Sequence, residues 1–287
     1  MDPFVVLAAA SQSTKTIKFG TGVALVQQRD AIQTAKLVAS IGQVSQGRFL
    51  FGVGGGWNQD EMENHGTVYA SRFKVMGRRR RYNAEQVQRL SDTTIAYYDR
   101  FARAFWDGTR HHDVSQNYAA FLAAIEGDPP YSILDLGCGP GRDLSHFRSL
   151  GHEAVGLDGS QQFVAMARTH SQCEVFHQDF LAMQLPESRF DGIFANASLF
   201  HVPSQELPRV LLELFTTLKP RGVLFSSNPR GNNEESLSDD RYACFFDLDT
   251  WRDYVTSAGF VEIGHYYRPP GLPRHKQPWL ATVWRKG

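Results

Sequence analysis

The sequence predicts an α/β fold over residues 92–287, a doubly wound sheet of seven strands with helices on both faces. Three observations carry that expectation. Short apolar, β-branched runs alternate with amphipathic helical segments. The first run ends in a glycine-rich turn, Asp135-Leu136-Gly137-Cys138-Gly139-Pro140-Gly141. The runs that follow close on polar residues, with Asp158-Gly159, Asp179-Phe180 and Asn196 at their ends.

Two helices come first, over residues 93–106, where Tyr97, Tyr98, Phe101 and Phe105 recur at helical spacing, and over residues 115–125. Strands are expected at 132–136, 154–157, 174–177, 190–195 and 222–226, with a last pair at 261–267 and 279–284. The helix from Arg142 stops at Gly151, which suits a left-handed cap. Ser160 caps the next helix, and Pro203-Ser204 open a long one that Lys219-Pro220 stops. Residues 228–240 read as a polar insertion and 250–258 as a helix. A proline-rich loop joins the last two strands.

Composition closes several classes. The chain has 287 residues, 42% of them hydrophobic and 21% charged, so it is neither disordered nor fibrous. Its apolar runs fall far short of the roughly 20 residues of a membrane span. An acid follows Met1 and no basic stretch precedes the first apolar run, which argues against a secretory signal and for the cytoplasm. The three cysteines, Cys138, Cys173 and Cys244, lack metal-ligand spacing, so no structural metal is expected. The zero net charge hides an asymmetry: residues 1–90 hold 12 basic and 6 acidic side chains, the rest 18 and 24. An acidic second part argues against a nucleic-acid acceptor.

The first segment reads as strand, helix, strand over residues 16–26, 31–44 and 48–53, ending in Gly54-Gly55-Gly56-Trp57. Through Gly20-Thr21-Gly22-Val23, Gln28-Arg29-Asp30, Gly47-Arg48-Phe49 and Gly52-Val53-Gly54-Gly55-Gly56-Trp57-Asn58 it resembles an interior piece of the luciferase-like, flavin- or deazaflavin-dependent oxidoreductase barrel. A closed TIM-type barrel needs eight strand-helix units and about 250 residues. The expected division is therefore a partial, non-functional barrel segment over 1–77, a basic linker over 78–91 containing Arg78 to Arg81, and the α/β domain over 92–287.

The glycine-rich turn lets a ligand lie against bare backbone at the mouth of the sheet. Its spacing fits neither phosphate-binding fingerprint: Arg142 stands where the dinucleotide pattern needs glycine, and no Gly-Lys-Ser/Thr follows. Asp135 also puts negative charge at the strand tip, which suits an ammonium or sulfonium ligand rather than phosphate. Asp158 at the second tip can accept from both hydroxyls of a ribose, while Asp179 beside Phe180 can meet an adenine amine and face. Together these describe a non-phosphorylated adenosine with a cationic tail.

In this arrangement residues 92–287 resemble the class I S-adenosylmethionine-dependent methyltransferases, whose sheet is Rossmann-like. The resemblance implies S-adenosylmethionine as cofactor, with Asp135, Gly137, Cys138 and Gly139 at its methionine end, Asp158 and Gly159 at the ribose, Asp179 and Phe180 at the adenine, and Asn196 closing the fourth strand. The family's next motif matches Asn196-Ala197-Ser198-Leu199-Phe200-His201, and Lys219-Pro220-Arg221-Gly222 matches its turn before strand five, with Arg221 in place of the common glycine.

Methyl transfer from a sulfonium needs alignment more than acid–base chemistry. A base helps only an acceptor that arrives protonated. His201 is the candidate for that base, or a residue that packs its helix. Tyr98 is expected to reach the cofactor's carboxylate or to serve as a core aromatic, and Asp113 to cap a helix or to meet the substrate. Arg142 stands in a helix's first turn, where the dipole disfavours a cation, so it suits an anionic partner or a surface ion pair. Arg230, Tyr242, Tyr267 and Arg268 are expected to line the acceptor pocket of a small molecule carrying a carboxylate or an aromatic ring. The rival expectations are a non-catalytic cofactor-binding protein and a bifunctional chain with deazaflavin chemistry.

Overall fold

The computed structural model describes residues 2–66, 68, 69 and 82–287. The chain divides into two compact units, residues 1–81 and 82–287. The Arg78 to Arg81 run lies outside the described residues.

In the first unit, α1 (Pro3–Ser13) and α2 (Ala31–Val44) accompany a parallel pair, β1 (Phe19–Gly20) and β2 (Phe49–Leu50), followed by α3 (Gln59–Asn64). Phe4, Ala24 and Ile41 form its small core. The strands are much shorter than expected, with one further bridge between Ala24 and Val53. The two-stranded sheet gives each strand only one neighbour to ladder with, so pairing lapses once the chains diverge.

The second unit opens with α4 (Ala84–Thr109) and α5 (Ser115–Ala124). Helix α4 starts inside the expected linker, a correction with a clear cause. Asn83 and Gln86 form a reciprocal capping box, and Val87 and Leu90 are buried. Its helical dihedrals break at Phe101.

Then follow β3 (Ser132–Leu136), α6 (Arg142–Ser149), β4 (Glu153–Asp158), α7 (Gln161–Ser171), β5 (Glu174–His177), β6 (Phe190–Asn196), α8 (Leu207–Thr217) and β7 (Leu218–Pro229). A hairpin, β8 (Glu234–Ser238) and β9 (Arg241–Phe245), precedes α9 (Leu248–Ser257), β10 (Phe260–Arg268) and β11 (Trp279–Lys286).

The seven-stranded sheet runs β5-β4-β3-β6-β7-β11-β10. Its first five members are parallel, and β11 lies antiparallel to both β7 and β10. Alternation along β3 sorts the two faces. Ile133 packs with Phe121 of α5, Phe147 of α6 and Val164 of α7, whereas Leu134 and Leu136 pack with Leu211 and Leu214 of α8 and Trp251 of α9. Strand order reverses between β3 and β6, the position at which open α/β sheets bind ligands.

Two further expectations need correction. The polar insertion contains the β8–β9 hairpin, closed by Asp239 and Asp240 at φ of 51° and 61°, the left-handed pair that a two-residue hairpin turn requires. Helix α8 begins at Leu207 rather than at Pro203-Ser204, because Ser204 is engaged by the hairpin, its hydroxyl donating to Glu235 and its N–H to the Tyr242 hydroxyl. Among the described residues no helix is long and apolar enough to cross a membrane.

Candidate active site

A cavity of about 980 Å³ lies within the second unit at the carboxyl ends of β4, β6 and β7, bordered by the β3–α6 loop, helix α4 and the hairpin. That volume sits at the upper end of the range for ligand pockets.

The β3–α6 loop forms one wall. The N–H groups of Gly137 and Cys138 both donate to the carbonyl of Leu157, at 2.8 and 3.1 Å, which folds the loop over the tip of β4. Gly137 has φ +73°, and a Cβ there would lie 2.4 Å from that of Ser198. Gly139 has φ +53°, yet its Cβ would meet only Phe105, at 3.8 Å. One glycine is required by its neighbours and the other leaves backbone open. Cys138 is buried, and burial pushes its thiol well up.

Asp158 holds the loop in place. Its Oδ2 accepts from the Gly139 N–H at 2.9 Å and its Oδ1 from the Ser160 N–H at 2.8 Å. Burial raises the carboxyl to about 6, against the lowering effect of those two bonds. Gly159 also borders the cavity. Asp135 is only 1% exposed, its Oδ2 has no hydrogen-bond partner, and burial raises it well above the carboxylate range.

At the third tip, Asp179 accepts from the Ser91 hydroxyl (2.8 Å), the Leu181 N–H (2.9 Å) and the Gln88 amide (3.0 Å). It thereby ties α4 to the sheet, with Phe180 half-buried in the cavity wall. Asn196 accepts from the Asn117 amide at 2.9 Å and donates to Asp143 at 3.2 Å. Asp143 is bracketed by Arg142, at 2.6 and 3.1 Å, and by the Tyr118 hydroxyl at 2.6 Å.

His201 stands in a short 3₁₀ turn, Leu199–His201, with both ring nitrogens engaged. Nδ1 lies 2.6 Å from the Tyr242 carbonyl and Nε2 lies 2.8 Å from the Tyr98 hydroxyl. A carbonyl only accepts, so Nδ1 carries the hydrogen and Nε2 accepts from Tyr98. Burial lowers the imidazole to about 4, with the charge of Arg241 acting the same way. Tyr98 therefore lines the cavity with its proton directed at His201.

The four residues expected around the acceptor part company. Arg268 borders the cavity, its Nη2 donating to the Asp113 carbonyl at 2.6 Å. The other three lie outside the lining. Arg230 donates to the carbonyls of Gln277 and Arg274, at 2.7 and 2.6 Å, and so fixes the proline-rich loop. Tyr267 packs beneath Arg274, and Tyr242 is buried in the core. Arg241, which the sequence reading passed over, does face the cavity, with Ala243 and Phe245. Period-two alternation along β9 explains this: Tyr242 and Cys244 take the core side.

Sheet order, switch-point cavity and glycine loop together define the class I methyltransferase fold. Residues 133–222 match a family described as "Methyltransferase domain", and residues 1–114 match "Luciferase-like monooxygenase", a match that continues through α4. A solved 1,6-didemethyltoxoflavin-N1-methyltransferase of Burkholderia thailandensis superposes with a TM-score of 0.58 at 20% identity, covering 72% of this chain and 92% of that one. The chain thus carries one segment similar to the luciferase-like monooxygenases and another similar to methyltransferase domains, the latter in the class I methyltransferase fold. Among curated relatives, a trans-aconitate 2-methyltransferase of Delftia acidovorans is 37% identical over 152 residues, 50% of this chain and 52% of the relative. An uncharacterised protein of Mycobacterium tuberculosis is 47% identical over 66 residues, 23% of each chain. The chain spans less than two thirds of the length of these relatives.

Proposed function

We propose that the chain is an S-adenosylmethionine-dependent methyltransferase that moves a methyl group to a small molecule by in-line displacement. The observation that carries this reading is the Asp158–Gly139 pair. A strand-tip carboxylate grips a backbone N–H at 2.9 Å beside a glycine whose missing side chain leaves open space. Acid at this tip disfavours phosphate and suits the hydroxyls of a ribose. The buried Asp135, with an oxygen lacking a partner, fits an ammonium group. Phe180 fits an adenine face. Asp179 already accepts three hydrogen bonds and keeps one of about four lone-pair sites for an adenine amine.

Bound there, S-adenosylmethionine would supply an electrophilic methyl group on a good leaving group. The work of the chain is then positional: Gly139 and Asp158 fix one end, Asn196 and the Asp143 cluster form the floor, and α4 covers the top. Alignment of this kind is worth about 7–11 kcal/mol of barrier. The net charge of about −6 over residues 91–287 favours a small acceptor over a nucleic acid. In the first unit, the described residues form a two-stranded parallel sheet, against the eight strands of a closed barrel.

Calorimetric titration with S-adenosylhomocysteine tests the reading. Binding that weakens at least tenfold in Asp158→Asn is expected, and absence of binding to the parent protein would overturn it.

A further inference from the structure

Resting on that reading, we infer that the acceptor is a carboxylic acid, held by Arg241 and Arg268 and methylated on a carboxylate oxygen. Two independent features of the cavity point the same way.

The first is charge. Arg142 is neutralised by its bidentate contact with Asp143. Arg241 and Arg268 form no such pair with a described carboxylate. Arg241 stacks 4.5 Å above the Tyr97 ring, and Arg268 leans on a carbonyl. The Nε of each is buried with no hydrogen-bond partner. Asp113 feels the charge of Arg268, but its carboxylate accepts from the Ser115 N–H at 2.9 Å. A buried guanidinium N–H without an acceptor is costly, and a carboxylate is the ligand whose two oxygens match its fork.

The second is that the buried histidine of the cavity is not free to act as a base. An alcohol, amine or thiol must lose a proton on methylation. Nδ1 of His201 is spent on the Tyr242 carbonyl and Nε2 on Tyr98, so the expected base has no free nitrogen. The Tyr98 proton points away from any acceptor and toward His201. His112, the other histidine of the cavity, is exposed. A carboxylate needs no base. Its oxygen lone pair forms the new C–O bond while the electrons of the S–CH3 bond return to sulfur. One negative and one positive charge disappear together, and no proton is released. In this arrangement His201 is a positioning residue that orients Tyr98.

The test uses the full chain, S-adenosylmethionine labelled in its transferable methyl group, and a panel of succinate, citrate, benzoate and 4-hydroxyphenylacetate with their neutral amides. Products are then treated with mild alkali, which frees labelled methanol from methyl esters and from no ether, amine or thioether. Expected is transfer to at least one acid, with the label released by alkali. Arg241→Gln and Arg268→Gln should each raise the KM for that acid about tenfold, roughly 1.4 kcal/mol, with S-adenosylhomocysteine affinity held within about twofold. Alkali-stable label, an unchanged KM in both variants, or cofactor binding with no acid accepted would each overturn the carboxylate assignment while the methyltransferase reading stands. Failure to bind S-adenosylhomocysteine at all strikes the reading itself.

Discussion

The Tyr98 hydroxyl donates to Nε2 of His201 at 2.8 Å, and burial holds the imidazole of that pair in its neutral form. His201 is held at about 4, against an ordinary 6.5, so between those values the unfolded chain binds a proton that the folded chain excludes. Stability is complete above about pH 6.5 and falls as pH drops toward 4. In urea melts, the advantage of the parent over His201→Gln should shrink from pH 7 to about pH 5. Tyr98→Phe leaves Nε2 without its donor and should cost about 1–3 kcal/mol at neutral pH.

The two loop glycines should separate folding from binding. Gly137→Ala meets Ser198 at 2.4 Å in a left-handed conformation and should lower the melting temperature sharply. Gly139→Ala has room and carries only the left-handed penalty of about 1–2 kcal/mol. Its methyl group projects toward the cavity, so the folded variant should lose S-adenosylhomocysteine binding by calorimetry.

Asp135 should trade stability for affinity. A buried carboxyl with an unpartnered oxygen is a burden to the ligand-free fold. Asp135→Asn should melt no lower than the parent. Cofactor binding should weaken by about tenfold or more, the worth of a charge-assisted hydrogen bond of roughly 1.5–3 kcal/mol.

Arg221 stands near the start of β7, where the family pattern has glycine, at φ +63°. Its guanidinium pairs with both Glu126 oxygens at 2.6 Å, on the exposed surface. Arg221→Gly relieves the backbone as it removes the pair, and Arg285 still reaches Glu126 at 3.0 Å. Melting temperature should stay unchanged within error.

Much of the second unit is legible in the sequence because its strands are short apolar runs bounded by turn residues, and the acids at their ends mark one edge of the sheet. The hairpin escapes such reading. Strand β8, Glu-Glu-Ser-Leu-Ser, is mostly polar since it contributes Ser236 and Ser238 to a cavity wall rather than to the core. With the hairpin unread, the alternation that turns Arg241 to the cavity and Tyr242 to the core is invisible. The start of α4 is hidden likewise, because Val87 and Leu90 are its only buried apolar residues in the first two turns. His201 is legible as a candidate, but the tautomer that occupies both its nitrogens depends on Tyr98 and Tyr242, which are 103 and 41 residues away.

Helix α4 is fastened over the cavity at two strand tips. Gln88 and Ser91 clasp Asp179, while Asp99 accepts from the Ser160 hydroxyl at 2.6 Å and the Gln162 N–H at 3.0 Å. Ser160 is also the residue whose N–H holds Asp158. A ligand bound beneath α4 would therefore be admitted and retained by one set of clasps. Weakening them to quicken product escape also loosens the loops that give the ligand its residence time, so exchange rate and grip are bound to vary in opposite directions.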